Sequence, residues 1–304
     1  MRLVSFVRNG RPSYGAVLVR TDPGGTPAPA PTLPVVDLGA RLLAYPDLRA
    51  LLAADALDAA RALSVRANVD CTLGDVTLQR PIPWPEKIVC VGVNYAERNE
   101  EYRDGAEAPK YPSLFVRMPD SLVAHGAPVL RPPESGQLDY EGEIVIVVGR
   151  AGRRIPAAQA RAHVAGLTLM NEGTVRDWLR HGKFNVTQGK NFVASGAVGP
   201  WIVTTDACPD FTDITLRTRV NGELRQDDNT RRMMFPFDRL IEYVSTFMLL
   251  KPGDLIATGT PSGVGVARTP PLFMKVGDVM RVEIDGIGHI QNTVIAEPEG
   301  LPYA

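Results

Sequence analysis

Two acidic residues, Glu141 and Glu143, stand two positions apart at the start of an apolar run, residues 144–148. Residues two apart in a β-strand point to the same face, so this spacing predicts two adjacent carboxylates. Like charges this close repel each other in a buried setting unless they share a proton or a cation. A hard divalent cation with oxygen ligands satisfies that need. Two solvated acids at a strand end are the alternative that the spacing leaves open.

Further polar residues follow about thirty positions later. Glu172 comes directly after the apolar residues 167–170, so it lies at the end of a second predicted strand. A carboxylate there can supply a third oxygen ligand opposite the first pair. Lys190 follows Gly189 in a run that we interpret as buried, although most lysines are solvated at the surface.

The elements that must position these residues indicate two domains. Residues 1–80 predict a small N-terminal α/β domain, with a hairpin at Asn9-Gly10 and short helices between 38 and 63. Residues 81–304 begin with a stiff proline-rich linker and continue as short strands with turn signals, a hairpin at Asn221-Gly222 and helices over 156–163 and 237–249. The fold class expected from this order is α+β and strand-rich.

The composition of the chain narrows the classes of binding partner and of enzyme that we expect. The 304 residues are 44% hydrophobic and carry a formal charge of -1, which gives no electrostatic reason to expect nucleic acid or a membrane. No apolar run approaches the roughly 20 residues that span a bilayer, and no signal-peptide pattern opens the chain, so we expect a cytoplasmic protein. The three scattered cysteines, and the absence of HExxH and GxGxxG, disfavour a zinc hydrolase and a dinucleotide-binding enzyme.

Five motifs in this order resemble those of the fumarylacetoacetate hydrolase family. They are DYEGE (139–143), NEGTVRD (171–177), GKNF (189–192), GPW (199–201) and TGTPSGVG (258–265). The resemblance covers roughly residues 87–297. It implies a mixed β-roll in the C-terminal domain, a Mg²⁺ or Mn²⁺ site, small-molecule 2-oxo acid substrates, and a homodimer or an assembly of dimers.

The resemblance also implies the metal ligands. Glu141 and Glu143 match the family's metal-binding carboxylate pair, and Glu172 falls where the third ligand lies. The family usually has aspartate at that third position. Because glutamate is one methylene longer, either the ion or the strand end must shift to accommodate it.

Other functional positions follow from the same comparison of motifs. Lys190 matches the family's active-site lysine, and Thr260 matches the loop that holds the substrate carboxylate. Gly259 and Tyr140 are grouped with Thr260 as substrate-binding candidates. Arg117 falls where the family commonly has lysine, so a positive charge is retained.

The polar segment 94–110 is expected to be a lid that is mobile without ligand and closes over the site. Many hydrolytic members carry a histidine there and, three residues later, a glutamate that together activate water. Arg98 takes the histidine position in this sequence and Glu101 takes the glutamate position. Arginine cannot act as a general base at neutral pH. Glu101 could act alone and Arg98 could bind a second substrate carboxylate, or both could lie on an exposed helix face.

Hydrolysis of a C–C bond in a 2,4-dioxo acid, such as an acylpyruvate or an aromatic ring-cleavage product, is the leading hypothesis. A metal ion that stabilises an enolate serves isomerisation and decarboxylation equally well. An isomerase or decarboxylase of an unsaturated 2-oxo-dicarboxylate is therefore the alternative. A protein that binds an oxo acid without catalysis is a third.

Overall fold

The computed structural model describes residues 1–19, 26–101, 109–182, 185–208 and 210–300. The distal part of the expected lid, residues 102–108, lies outside these ranges. Strands in the first half are β1 (Arg2–Arg8), β2 (Arg11–Val17), β3 (Pro34–Asp37), β4 (Cys71–Thr72), β5 (Thr77–Leu78), β6 (Ile88–Val91), β7 (Leu114–Val116), β8 (Leu122–Val123), β9 (Val129–Arg131), β10 (Leu138–Asp139) and β11 (Gly142–Val148). The later strands are β12 (Val164–Asn171), β13 (Thr174–Val175), β14 (Gly196–Thr204), β15 (Thr215–Val220), β16 (Glu223–Asn229), β17 (Leu255–Ala257), β18 (Val279–Ile284) and β19 (Gly288–Ala296).

The helices are short compared with the strands they accompany. The α-helices are α1 (Leu48–Ala53), α2 (Leu57–Arg66), α3 (Ala96–Glu101), α4 (Thr187–Lys190) and α5 (Phe237–Phe247). Single 3₁₀ segments are Leu73–Asp75, Pro119–Ser121, Ala157–His163, Asp177–Arg180, Thr230–Arg232 and Gly265–Ala267. No helix in the described ranges is both long and apolar enough to cross a membrane.

One large sheet runs through both predicted domains. Its strand order is β4-β3-β2-β1-β14-β12-β11-β17-β6-β7, with β5 beside β1 and β8 beside β14. β1 pairs antiparallel with β14 through Arg2↔Val203 and Leu3↔Ile202, so backbone hydrogen bonds join the N-terminal hairpin to the strands that bear the site. A second sheet has the order β16-β15-β18-β19-β9, and β10 pairs with β13. The α+β, strand-rich class is confirmed.

Turn chemistry explains the hairpins predicted at the two Asn-Gly pairs. Asn9 and Gly10 both have positive φ, 51° and 75°, as a tight two-residue turn requires. Asn221 and Gly222 repeat this geometry between β15 and β16. The helix predicted from 237 is present as α5, whereas the segment that follows Pro156 is a 3₁₀ helix, Ala157–His163.

β11 lies in the middle of the large sheet and is buried on both faces. Ile144 and Ile146 belong to one hydrophobic cluster, and Val145 and Val147 belong to another. Glu143 alternates in step with Val145 and Val147, so its carboxylate points to their side of the sheet. The chain thereby places an ionisable group in a setting that excludes water.

Candidate metal and substrate site

Three glutamates meet where β11 and β12 lie side by side. Glu141 directly precedes β11, Glu143 is its second residue, and Glu172 directly follows β12. The register Gly142↔Asn171 brings the two strand ends together, and Glu172 N donates to Glu141 O over 2.7 Å. All three side chains are buried, and one carboxylate oxygen from each lies within 4.8 Å of the others.

The triad fits a divalent cation. Glu143 Oε2 accepts from Gly259 N at 2.9 Å, but Glu143 Oε1 and Glu172 Oε1 are buried with no hydrogen-bond partner among the described residues. Burial first, then the charges of Glu172 and Glu141, raise the pKa of Glu143 well above its usual value. An all-oxygen donor set with unpaired buried oxygens suits a hard ion such as Mg²⁺ or Mn²⁺. The structure thus brings the three predicted metal ligands together.

Lys190 is buried beside the same carboxylates. Its Nζ lies 2.6 Å from Glu141 Oε2 and 2.9 Å from Glu172 Oε2. Burial lowers the pKa of Lys190, but Glu141 and Glu172 outweigh burial, and the net effect is a raised pKa. Helix α4 delivers the lysine because Gly189 packs against Val175 O and Leu179, where a Cβ would clash. The residue is therefore a charged part of the site rather than a surface lysine.

Arg176 and Asp139 complete the polar network. Arg176 Nη2 lies 2.6 Å from Glu141 Oε1, and its Nε donates to Asp139 Oδ2 at 2.8 Å. Asp139 also accepts from the backbone of Gly265 and Val266, at 2.8 and 2.9 Å. Burial raises the pKa of Glu141, but Lys190 and Arg176 outweigh it and hold that pKa below its usual value. Neither Asp139 nor Arg176 was assigned a role at the site from the sequence, although Asp139 continues the two-residue spacing of the glutamate pair.

The described part of the expected lid is helix α3. Arg98 is only 3% exposed, and its Nη1 donates to Glu101 Oε2 at 3.1 Å. Glu101 Oε1 accepts from Gly263 N at 2.7 Å, which ties the helix to the loop after β17. Asn94 holds the preceding turn, since it donates to Thr258 O and accepts from Phe235 N. The exposed-face interpretation fails for Arg98, while lid mobility stays a prediction.

A cavity of about 630 Å³ is lined by residues of helix α3 and by Arg176, which contacts Glu141 of the triad. Its lining residues are Arg98, Glu101, Gln137, Arg176, Asp177, Leu179, Val186, Val266 and Ala267. Two guanidinium groups thus face one cavity, and the charge of Arg98 also acts on Glu141. Glu101 and Asp177 line the same cavity, so its formal charges balance, and the two guanidinium groups are the groups in it that can contact an anionic ligand.

The four substrate-binding candidates occupy different surroundings. Gly259 has a φ of +100°, and a Cβ there would lie 2.7 Å from Asn94 Cβ. Thr260 follows, buried, with its hydroxyl donating to Gly142 O at 2.9 Å. Tyr140 lines a separate cavity of about 160 Å³ and donates to Gly263 O. Arg117 donates to Ser121, Gly173 O and Ser195 behind the site. Substrate binding by these four residues stays a prediction.

Comparison with known proteins gives consistent results. The family model described as Fumarylacetoacetate (FAA) hydrolase C-terminal matches residues 87–295. The chain is 41% identical over 239 residues to "Oxaloacetate tautomerase FAHD2B, mitochondrial" from Homo sapiens, covering 78% of this chain and 75% of that protein. It is also 41% identical over 226 residues to "Oxaloacetate tautomerase YisK" from Bacillus subtilis, covering 73% and 74%.

A solved structure shares the fold. It is maleylpyruvate hydrolase from Sphingobium sp. SYK-6 in complex with manganese (II) ion and pyruvate, with a TM-score of 0.77 and 28% identity. The match covers 98% of this chain and 100% of that one.

Proposed function

Because this chain belongs to the fumarylacetoacetate hydrolase family, we propose that it is a divalent-metal-dependent isomerase that interconverts the keto and enol forms of a 2-oxo dicarboxylic acid. Oxaloacetate is the simplest such substrate, and the relatives from Homo sapiens and Bacillus subtilis are both named for its tautomerisation. The leading hypothesis from the sequence was C–C hydrolysis, and these comparisons support the isomerase alternative better.

The observation that carries the proposal is the cavity lined by both Arg98 and Arg176, where Arg176 also contacts Glu141 of the carboxylate triad. A 2-oxo dicarboxylate has one carboxylate next to the 2-oxo group and a second at its far end. Guanidinium groups bind carboxylates through charge-assisted, often bidentate, hydrogen bonds. Arg98, which Glu101 orients, is the group that we assign to the distal carboxylate.

Tautomerisation needs a proton to move between carbon 3 and the 2-oxo oxygen, with no attack by water. A bound Mg²⁺ or Mn²⁺ would supply Lewis acidity to the 2-oxo oxygen and lower the energy of the enolate. Lys190, held as an ammonium by Glu141 and Glu172, adds positive charge where negative charge develops. The surrounding burial excludes bulk water, which strengthens these charge interactions.

Hydrolysis would demand a base that activates water. Arg98 cannot take that role, and the Glu101 carboxylate is held by both Arg98 and Gly263 N. With these contacts, Glu101 is suited to orient Arg98 rather than to activate water. Mg²⁺ or Mn²⁺ as the resident ion, a homodimer and a cytoplasmic location belong to the same proposal as expectations carried over from the sequence.

A substrate panel tests the proposal. Enolisation of oxaloacetate is followed by ultraviolet absorbance with Mg²⁺ or Mn²⁺, and pyruvate release from acylpyruvates and from oxaloacetate is measured in parallel. We expect metal-dependent enolisation that is much faster than release of pyruvate from either source. Pyruvate release without accelerated enolisation would assign a hydrolase or decarboxylase. Tight oxalate binding without any turnover would assign a binding protein.

A further inference from the structure

A buried glutamine connects the carboxylate pair to the Thr260 loop. Gln226 lies on β16 in the second sheet and is 1% exposed. Its Oε1 accepts from Gly142 N at 2.9 Å, and Gly142 is the residue between Glu141 and Glu143. Its Nε2 donates to Thr260 Oγ1 and to Pro261 O, each at 2.9 Å. One amide therefore contacts both halves of the site.

These contacts also determine which group the Thr260 hydroxyl donates to and which it accepts from. Thr260 Oγ1 accepts from Gln226 and donates its own hydrogen to Gly142 O. Gly142, Gln226 and Thr260 thus form a closed ring of hydrogen bonds. Such a ring fixes the hydroxyl's direction and the distance from the loop to the glutamates, because a shift of either part would break two bonds. A buried donor or acceptor that is left unpaired destabilises the arrangement.

We propose that Gln226 is a positioning residue that holds the Thr260 loop at a fixed distance from the carboxylate pair, so that a 2-oxo acid reaches the metal and the loop together. The inference rests on the proposed function and on the role that the family resemblance gives the Thr260 loop, which is to hold the carboxylate next to the 2-oxo group. It adds a residue from the second sheet to the site. Gln226 acts through Gly142 and Thr260.

Thr218 provides a matched control. It is fully buried on β15 and contacts the same glycine, since a Cβ on Gly142 would overlap its hydroxyl. Within the described ranges Thr218 Oγ1 has no hydrogen-bond partner. Thr218→Val therefore perturbs packing around Gly142 without removing a hydrogen bond, whereas Gln226→Met keeps the volume and removes all three.

The experiment compares wild type, Gln226→Met and Thr218→Val in the full-length protein. Calorimetry measures the Kd of Mn²⁺ and then the Kd of oxalate, a non-reacting mimic of the 2-oxo acid end, on the Mn²⁺-loaded protein. For Gln226→Met we expect the oxalate Kd and the KM of oxaloacetate to rise about tenfold, the scale of one lost hydrogen bond. The Mn²⁺ Kd should change by less than about threefold, and Thr218→Val should match wild type in every constant.

The outcomes separate this proposal from the function it rests on. An unchanged oxalate Kd in Gln226→Met, or an equal loss of Mn²⁺ affinity, would overturn the positioning role. A structural defect would lower apparent kcat through the active fraction and leave KM and the oxalate Kd unchanged. If wild type does not enolise oxaloacetate but Gln226→Met still weakens oxalate, only the proposed function fails. Should Gln226→Met not fold, Gln226→Asn keeps an uncharged amide that is one methylene too short to bridge Gly142 and the Thr260 loop, and the same rise in oxalate Kd is expected.

Discussion

Lys190 Nζ lies 2.6 Å from Glu141 Oε2, inside the carboxylate cluster that fits a divalent cation. The same ammonium lies 2.9 Å from Glu172 Oε2, so two of the three candidate ligands already have a cationic partner from the chain. Glu143 does not share this contact and receives a hydrogen bond from Gly259 N instead. The lysine therefore serves two purposes, since it neutralises buried carboxylates and places positive charge beside the substrate position.

Replacing Lys190 by Met should separate these purposes. Without added ion, the buried carboxylates lose their ammonium partner, and we expect the free energy of unfolding to fall by about 3–5 kcal/mol. Saturating Mn²⁺ should recover most of that loss, while turnover of oxaloacetate stays far below wild type. Denaturant unfolding with and without Mn²⁺ measures the first effect.

Lys251→Met is the control, because Lys251 pairs with Glu86 over 2.8 Å at the surface, where solvent screens such pairs and they contribute little to stability. Its small effect should not depend on Mn²⁺. Equal destabilisation of Lys190→Met in both conditions would show that the ammonium supports the fold and not the carboxylates.

Glu143→Gln should weaken metal binding but should not destabilise the protein in the absence of the ion. The amide oxygen can still accept from Gly259 N, but the charge is lost, so Mn²⁺ affinity should fall by more than the about 10–100-fold typical of an outer partner. Without ion the variant should be at least as stable as wild type. The reason is that the pKa of Glu143 is raised in the folded protein, so the free energy of unfolding decreases as pH rises above the pKa of this group in the unfolded chain. Glutamine does not ionise and avoids this loss. Unchanged calorimetric Mn²⁺ binding would remove Glu143 from the metal site.

The sequence was most informative where function depends on local spacing. Glu141 and Glu143 share a face because they are two apart on one extended segment, and Glu172 joins them because β12 is the next strand in register. Family motifs then indicated Lys190 and the segment 94–110 that we expect to be a lid. Secondary structure followed where turn residues were explicit, as at Asn9-Gly10 and Asn221-Gly222.

Contacts made by tertiary packing had no such signal. Arg176 reaches Asp139 across 37 positions of chain, and Gln226 reaches Gly142 across 84. Gln226 lies in the polar run ELRQDDN, whose composition resembles an exposed strand. Only the packing of the second sheet against β11 buries it. Long-range hydrogen bonds of this kind are set by the whole fold and cannot be predicted from a local pattern.

A histidine pair far from the candidate site should make stability depend on pH. His125 Nδ1 accepts from Gln291 N at 3.1 Å, and Arg281 Nη2 lies 3.2 Å from His289 Nδ1. Burial first, then Arg281, lowers the pKa of each histidine from 6.5 to about 4. As pH falls, the two histidines take up protons at a higher pH in the unfolded chain than in the folded protein. The free energy of unfolding is therefore greatest above pH 6.5 and decreases as pH drops toward 4. For each histidine, one unit of difference between the pKa in the folded and in the unfolded state corresponds to about 1.4 kcal/mol of unfolding free energy.

Denaturant unfolding of the ion-free protein across that range measures the slope. In the double variant His125→Asn, His289→Gln the slope should flatten between these pH values. An identical slope in wild type and the double variant would assign the acid sensitivity to other groups.

Arg98 and Glu101 give the sharpest test of the reaction. If Arg98 binds the distal carboxylate, Arg98→Met should weaken dicarboxylic inhibitors by about 1.5–3 kcal/mol and leave oxalate, which fills only the 2-oxo acid end, nearly unchanged. Glu101→Gln keeps one acceptor oxygen, which can serve Gly263 N, but it removes the charge and replaces the oxygen that faces Arg98 with an NH2 group. In an isomerase it should raise the KM of oxaloacetate modestly through a less well-oriented Arg98, with kcat within about tenfold of wild type. In a hydrolase that uses Glu101 as the base, it should abolish acylpyruvate cleavage and spare inhibitor affinity, because the base contributes only in the transition state.

Steady-state kinetics on oxaloacetate and on an acylpyruvate, with inhibitor Kd values from calorimetry, distinguish the isomerase from the hydrolase. Equal losses of oxalate and dicarboxylate affinity in Arg98→Met would make Arg98 a structural residue of helix α3.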